Sequence, residues 1–101
     1  MYIYNVTTQL AENLREAWLQ WMQEEHIPEL LSTGHFTHHR ITRLLEPHEP
    51  GMVTFAVQYF CNSLDTYEHY ASVHAPALRQ KAQEKWGDKA LSFRTLMEVI
   101  N

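Results

Sequence analysis

From Tyr2 to Thr8 the chain sets Tyr2, Tyr4 and Val6 against Ile3, Asn5 and Thr7, with β-prone residues throughout. This period of two predicts a first strand. From Leu10 the period lengthens. Leu10, Leu14, Ala17, Trp18, Trp21 and Met22 recur at helical spacing, with Glu12, Arg15, Glu16, Gln20 and Gln23 opposite them, as in a helix buried along one stripe. Pro28 disfavours helical geometry at Ile27, so the helix is expected to break between Glu25 and Ile27. A short turn from Pro28 to Ser32 restarts it, and Gly34 closes it. The segment His35 to Leu45 reads as a second strand of undecided face. Phe36, His38, Arg40, Thr42 and Leu44 compete with Thr37, His39, Ile41, Arg43 and Leu45, and a bulge is compatible with the mixture. Glu46 to Gly51, with Pro47 and Pro50, supplies hairpin chemistry.

Met52 to Cys61 is the clearest strand, with Val53, Phe55, Val57, Tyr59 and Cys61 on one face and Thr54, Ala56, Gln58 and Phe60 on the other. Asn62 or Ser63 then caps a second helix, favoured by Asp65 in its first turn. Leu64, Tyr67, Ala71, Ala75, Leu78, Ala82 and Trp86 mark its stripe, Pro76 interrupts it and Gly87 ends it. A last strand from Ala90 to Ile100 alternates Leu91, Phe93, Met97 and Val99 with Ser92, Arg94, Leu96 and Glu98. The order βαββαβ predicts an α+β fold. It is the ferredoxin-like sandwich, a four-stranded antiparallel sheet with two kinked helices on one face, and residues 1–101 form a single domain.

Two helices on one face leave the other open. The helix-facing set is expected to be Tyr4, Val6, Val53, Phe55, Val57, Leu91 and Phe93. The open face then carries Ile3, Asn5, Thr7, Ala56, Gln58, Phe60, Arg94 and Leu96. Burying apolar surface gains about 25 cal/mol per Å², so a second copy packed sheet to sheet is the simplest cover, and a homodimer is expected. Such packing encloses a cavity in which Asn5, Gln58 and Arg94 anchor a small, partly apolar ligand. Alternatively, those groups bond one another across a filled interface and bind nothing.

Charge narrows the partners. A net charge of −4 and a pI near 5.9 offer nothing to phosphate backbones or anionic membranes. The third strand also lacks the Lys/Arg-Gly-aromatic start of RNA-recognition domains. No apolar run reaches the length of a membrane span, and MYIYNVTTQ lacks the basic start of a signal peptide. The expected address is the cytoplasm. Cys61, the single cysteine, is expected to be buried and inert.

Seven histidines provide the only charge switch near neutral pH. His35, His38 and His39 are close in sequence, but at most two share a strand face, and a transition metal needs three or four ligands. No metal site and no cofactor are expected. His26-Ile27-Pro28-Glu29-Leu30 is echoed by His74-Ala75-Pro76-Ala77-Leu78 at the two helix breaks. A repeated kink accounts for the echo, because X-Pro restricts the backbone whatever the histidine does. The functional alternative makes His26 and His74 acid–base candidates, His26 with Glu24, Glu25 and Trp21 nearby.

Trp18-(x)2-Trp21-Met22-(x)3-His26-Ile27-Pro28, Thr33-Gly34-(x)-Phe36 and Val57-Gln58-Tyr59-Phe60 resemble the dimeric α/β-barrel superfamily, most closely an uncharacterised bacterial domain-of-unknown-function family. The resemblance runs from Tyr2 through Phe93-Arg94-Thr95 and implies a fold and dimerisation. The superfamily contains cofactor-independent monooxygenases, haem-degrading enzymes, isomerases and ligand-binding modules. In some of the oxygenases a first-strand Asn, a Trp and a helix-two His carry function. Asn5 and His74 lie where two of these would be, whereas Tyr59 and Phe60 stand where the Trp is expected. The leading expectation is a homodimeric ligand-binding module. The alternatives are a cofactor-independent or haem-dependent monooxygenase- or isomerase-like enzyme, and a purely structural dimer.

Overall fold

The computed structural model describes residues 1–101. Strand β1 spans Tyr2–Ala11, β2 His38–Arg43, β3 Met52–Cys61 and β4 Ala90–Glu98. All neighbours are antiparallel, in the order β2-β3-β1-β4. β1 is three residues longer than its alternation predicts. It stays paired to the end, with Ala11 opposite Met52, so Leu10 is a wholly buried strand residue rather than the first residue of a helix.

The sheet ends at β2 on one side and at β4 on the other. It is therefore open and does not close into a barrel, which corrects the dimeric α/β-barrel architecture that the resemblance implied. β2 pairs residue for residue from His38↔Phe60 to Arg43↔Phe55, without a bulge, and its helix-facing residues are His39, Ile41 and Arg43.

Residues directly opposite in a ladder point to the same face. Tyr4 pairs with Tyr59 and Leu96, Val6 with Val57 and Arg94, and Thr8 with Phe55 and Ser92. This register reverses the expected phase of β4. Ser92, Arg94 and Leu96 face the helices, while Leu91, Phe93 and Met97 stand on the open face, Leu91 and Phe93 being 69% and 61% exposed. Both phases of this edge strand contain large apolar groups, so alternation alone gives the period but not the direction.

A 3-10 turn, Glu12–Leu14, leads into α1, Arg15–Trp21. The expected break before Pro28 does not occur. Met22–His26 form a π-helical turn in which the Ile27 N–H donates to the Met22 carbonyl, five residues back, and α2 follows as Ile27–Ser32. A wider turn accommodates a proline ring that would otherwise meet the carbonyl four residues back. The second helix divides into α3, Leu64–Val73, and α4, Ala75–Trp86, joined at His74, with Pro76 in the first turn of α4. Ser63 caps α3, its Oγ accepting the Thr66 N–H at 3.1 Å. Tyr70 is the buried residue of α3, whereas Leu64 at the end of the predicted stripe is exposed. Gly87, at φ +56°, ends α4.

The core lies between sheet and helices. Tyr4, Val57 and Tyr59 meet Trp18, Met22, Leu30, Tyr70 and Leu78 there. No helix is long and apolar enough to cross a membrane.

Candidate functional site

Tyr4 sits on the central strand β1 and is 2% exposed. Its ring lies 5.9 Å from Tyr59, 5.5 Å from Tyr67 and 5.7 Å from Tyr70, centroid to centroid. Its hydroxyl oxygen accepts two guanidinium N–H groups, Arg94 Nε at 3.1 Å and Arg79 Nη2 at 3.4 Å. The register of β4 brings Arg94 there, and α4 brings Arg79, four residues beyond buried Ala75. Neither arginine has a carboxylate partner, since the ion pairs of the molecule are Arg15–Glu12 and Lys81–Glu29.

Both arginines line a cavity of about 360 Å³ between sheet and helices, within the size range of small-molecule sites. Trp18, Trp21, Met22, Leu30, Leu78 and Trp86 supply apolar wall, Thr8, Ser92, Gln83 and His26 supply polar groups, and Asp88 brings one carboxylate to the lining, unpaired with either arginine. Thr8 and Ser92 satisfy each other at 2.7 Å. Two buried donors of cavity residues, Arg79 Nε and Trp86 Nε1, have no partner. Buried polar groups are normally paired, and the two guanidiniums bring positive charge to the lining, so the complementary ligand is an anion with hydrogen-bond acceptors.

His26 closes the π turn and stacks on Trp21, centroids 4.8 Å apart and planes 22° off parallel; Trp21 in turn meets Trp86 edge-on at 6.0 Å. Burial pushes the His26 imidazole below its ordinary pKa, against the field of Glu29 and with the help of Arg94 and Lys81. A depressed histidine is neutral at pH 7 and can accept a proton.

The sheet separates the three residues expected to share a ligand. Asn5 and Gln58 are register partners on the open face, whereas Arg94 is on the helix side. Asn5 Nδ2 donates to Thr7 Oγ1 at 3.0 Å and to Thr95 Oγ1 at 3.1 Å, and its Oδ1 is buried without a partner. Of the two candidate histidines, His26 lines the cavity and His74 does not. His74 meets His35 and His69 instead, with one ring nitrogen of each within 4.8 Å of the others. The trio His35, His38 and His39 is dispersed, with His38 stacking on Phe60 at 4.2 Å on the open face. Cys61 is wholly buried and burial pushes its thiol pKa up, as suits an unreactive side chain.

Sequence reasoning missed Tyr4, Tyr70 and Arg79 as site residues. Arg79 carried a usable signal, because Ala75, Leu78, Arg79, Ala82 and Trp86 follow the i, i+3, i+4, i+7 spacing of a buried stripe.

The His26 shift has a thermodynamic consequence. With the folded pKa below the unfolded one, the unfolded chain binds the extra proton in between, so this group's contribution is complete above the ordinary histidine pKa and is lost as pH falls through the folded value. Denaturant titrations of the native protein and of His26→Gln across that acidic window measure it. The native protein is expected to lose more stability than the variant, and parallel curves would contradict the burial assigned to His26.

Comparison with solved structures gives the same architecture. A protein of the "ethyl tert-butyl ether d (ethd)" family from Bacillus halodurans superposes with a TM-score of 0.67 at 14% identity, covering 99% of this chain and 100% of that one. A dimeric ferredoxin-like protein from an uncultured marine organism gives 0.69 at 13% identity, with 99% and 94% covered. An aldoxime dehydratase in complex with butyraldoxime gives 0.70 at 18% identity, over 94% of this chain but 26% of the enzyme. At such identities the likeness is one of fold. No curated protein sequence matches the chain. The family described as "Domain of unknown function (DUF4286)" matches residues 1–100, and the chain belongs to it.

Proposed function

We propose that the chain is an acid–base enzyme acting on a small, largely apolar carboxylic acid held between sheet and helices. The observation that carries this reading is the convergence of two guanidiniums without a carboxylate partner, Arg79 and the exposed Arg94, on the Tyr4 hydroxyl at a largely apolar cavity. The substrate carboxylate takes the guanidinium N–H groups, and its hydrocarbon part lies against Trp18, Trp21 and Leu78. His26, neutral and in the same wall, removes a proton from the carbon next to the carboxyl group. The carbon's electron pair moves onto the oxygens, where the arginines and Tyr4 stabilise the charge, and the proton on His26 is returned to the substrate. This proton transfer is the step that isomerases share with cofactor-independent oxygenases. A cavity near the lower end of the small-molecule range suits a compact acid better than a haem macrocycle, and haemin titration is expected to leave the Soret band unperturbed.

Calorimetric titration with aliphatic and aromatic monocarboxylates and their matched amides tests binding. Acids should bind and amides should not. Arg94→Gln should weaken acid binding roughly 10- to 100-fold, as expected for a charge-assisted hydrogen bond. Equal affinity for acid and amide, or an unaffected variant, would sink the anion site. Proton transfer is read separately by NMR, as solvent deuterium entering next to the carboxyl group. The native protein should catalyse this exchange and His26→Gln should not. Binding without exchange would leave a ligand-binding module.

The open face supports a second part of the reading, self-association of two copies. Leu91, Phe93 and Met97 are exposed there beside Ile3 and Phe60, a larger apolar patch than lone surface residues make. Two of the structurally similar proteins are named as dimeric. Light scattering behind size exclusion should give twice the chain mass at micromolar concentration, and Phe93→Asp should give the monomer with an unchanged circular dichroism spectrum. A monomeric native protein, or a variant that remains dimeric, would rule this surface out.

A further inference from the structure

Beside Tyr70, three imidazoles converge from two parts of the chain. His35 arrives from the segment between α2 and β2, directly after Gly34, and His69 and His74 come from the middle of α3 and its junction with α4. The His35 and His69 rings are nearly parallel, 4.8 Å apart and 13° off plane, and His74 meets His35 edge-on at 5.1 Å and 62°. His35 Nε2 and His69 Nδ1 are 2.6 Å apart. Two nitrogens at that distance share one proton, so lone pairs and a single hydrogen face the same small volume. His35 Nδ1 is buried with no partner, leaving that ring to use its polarity only toward the other two histidines.

We infer that His35, His69 and His74 form a site for one divalent transition-metal ion of the zinc class, with water completing its coordination. One nitrogen of each ring lies within 4.8 Å of the others. Tetrahedral zinc with bonds near 2.0–2.1 Å sets its ligand nitrogens roughly 3.3 Å apart, a spacing between the 2.6 Å of the His35–His69 pair and the 4.8 Å that bounds the trio. The ion replaces the proton shared between His35 and His69, and that proton moves to a ring nitrogen outside the site or to solvent. Three imidazoles with no carboxylate favour zinc, copper, nickel or cobalt over magnesium or calcium. Three protein ligands also leave a position open, the pattern of reactive rather than sealed zinc sites. The ion ties the segment carrying His35 and Phe36 to α3, where Phe36 already packs edge-on against Tyr70 at 4.9 Å. Neither His35 nor His74 lines the acid cavity, so the two sites are tested independently.

Tag-free protein stripped with chelator and titrated with Co²⁺ gives the direct readout. One equivalent should produce visible d–d bands of a four-coordinate ion, displaced by one equivalent of Zn²⁺ and untouched by Mg²⁺. His69→Ala, at an exposed position, should weaken Co²⁺ binding by about 100-fold or more with an unchanged circular dichroism spectrum, since even outer partners of metal ligands are worth 10- to 100-fold. His39→Ala, on exposed β2, and Arg94→Gln should bind as the native protein does. Absence of the bands, retention of tight binding by His69→Ala, or an equal loss in His39→Ala would each overturn the assignment.

Discussion

The hydroxyl of Tyr4 is where packing and chemistry meet. Its ring is held among Tyr59, Tyr67 and Tyr70, so the oxygen has little freedom to move. A phenol has two lone pairs and one proton. Arg79 and Arg94 take the lone-pair side, which orders two long cationic side chains without neutralising either. The phenolic proton remains available to a bound anion. An ion pair with an aspartate would have ordered the arginines as well, but it would have consumed the charge. Tyrosine orders them and leaves the charge in place.

The space in front of that oxygen follows from the layers. The π turn at Met22–His26 carries the first helix past Pro28 without a break, placing Trp21 and His26 as neighbours in one wall. α4 presents Leu78, Arg79, Ala82 and Trp86 along the second wall. The floor is β1 with the helix-facing residues of β4. Burial of His26 and the unpartnered donors of Arg79 and Trp86 are costs to the fold. Such a pattern belongs to a site more readily than to a finished core.

The element order and the antiparallel sheet were legible in the sequence because β3 alternates cleanly from Met52 to Cys61 and the stripes of both helices run at 3.6 residues. Leu10 was misread because an apolar residue at the seam of two periods satisfies both, and only its pairing with Val53 decides. The phase of β4 was illegible for a related reason. An edge strand with Leu91 and Phe93 on one side and Leu96 on the other has no single apolar face, and the ladder to β1 settles the matter by long-range contact. That one reversal moved Arg94 from the company of Asn5 and Gln58 into the cavity. His35, His69 and His74 could not be grouped from spacing at all, since the trio is assembled by the packing of α3 against a segment 34 residues earlier.

The central claim is that the ligand lies on the helix side of the sheet and is held by two arginines. The most direct measurement is NMR of the arginine Nε–H and side-chain amide resonances during titration with a tight-binding carboxylate. The account predicts that the Arg79 and Arg94 signals shift together and saturate at one equivalent while those of Asn5 and Gln58 stay in place. Movement of the Asn5 and Gln58 amides with both arginine signals unchanged would put the ligand on the open face and contradict the account.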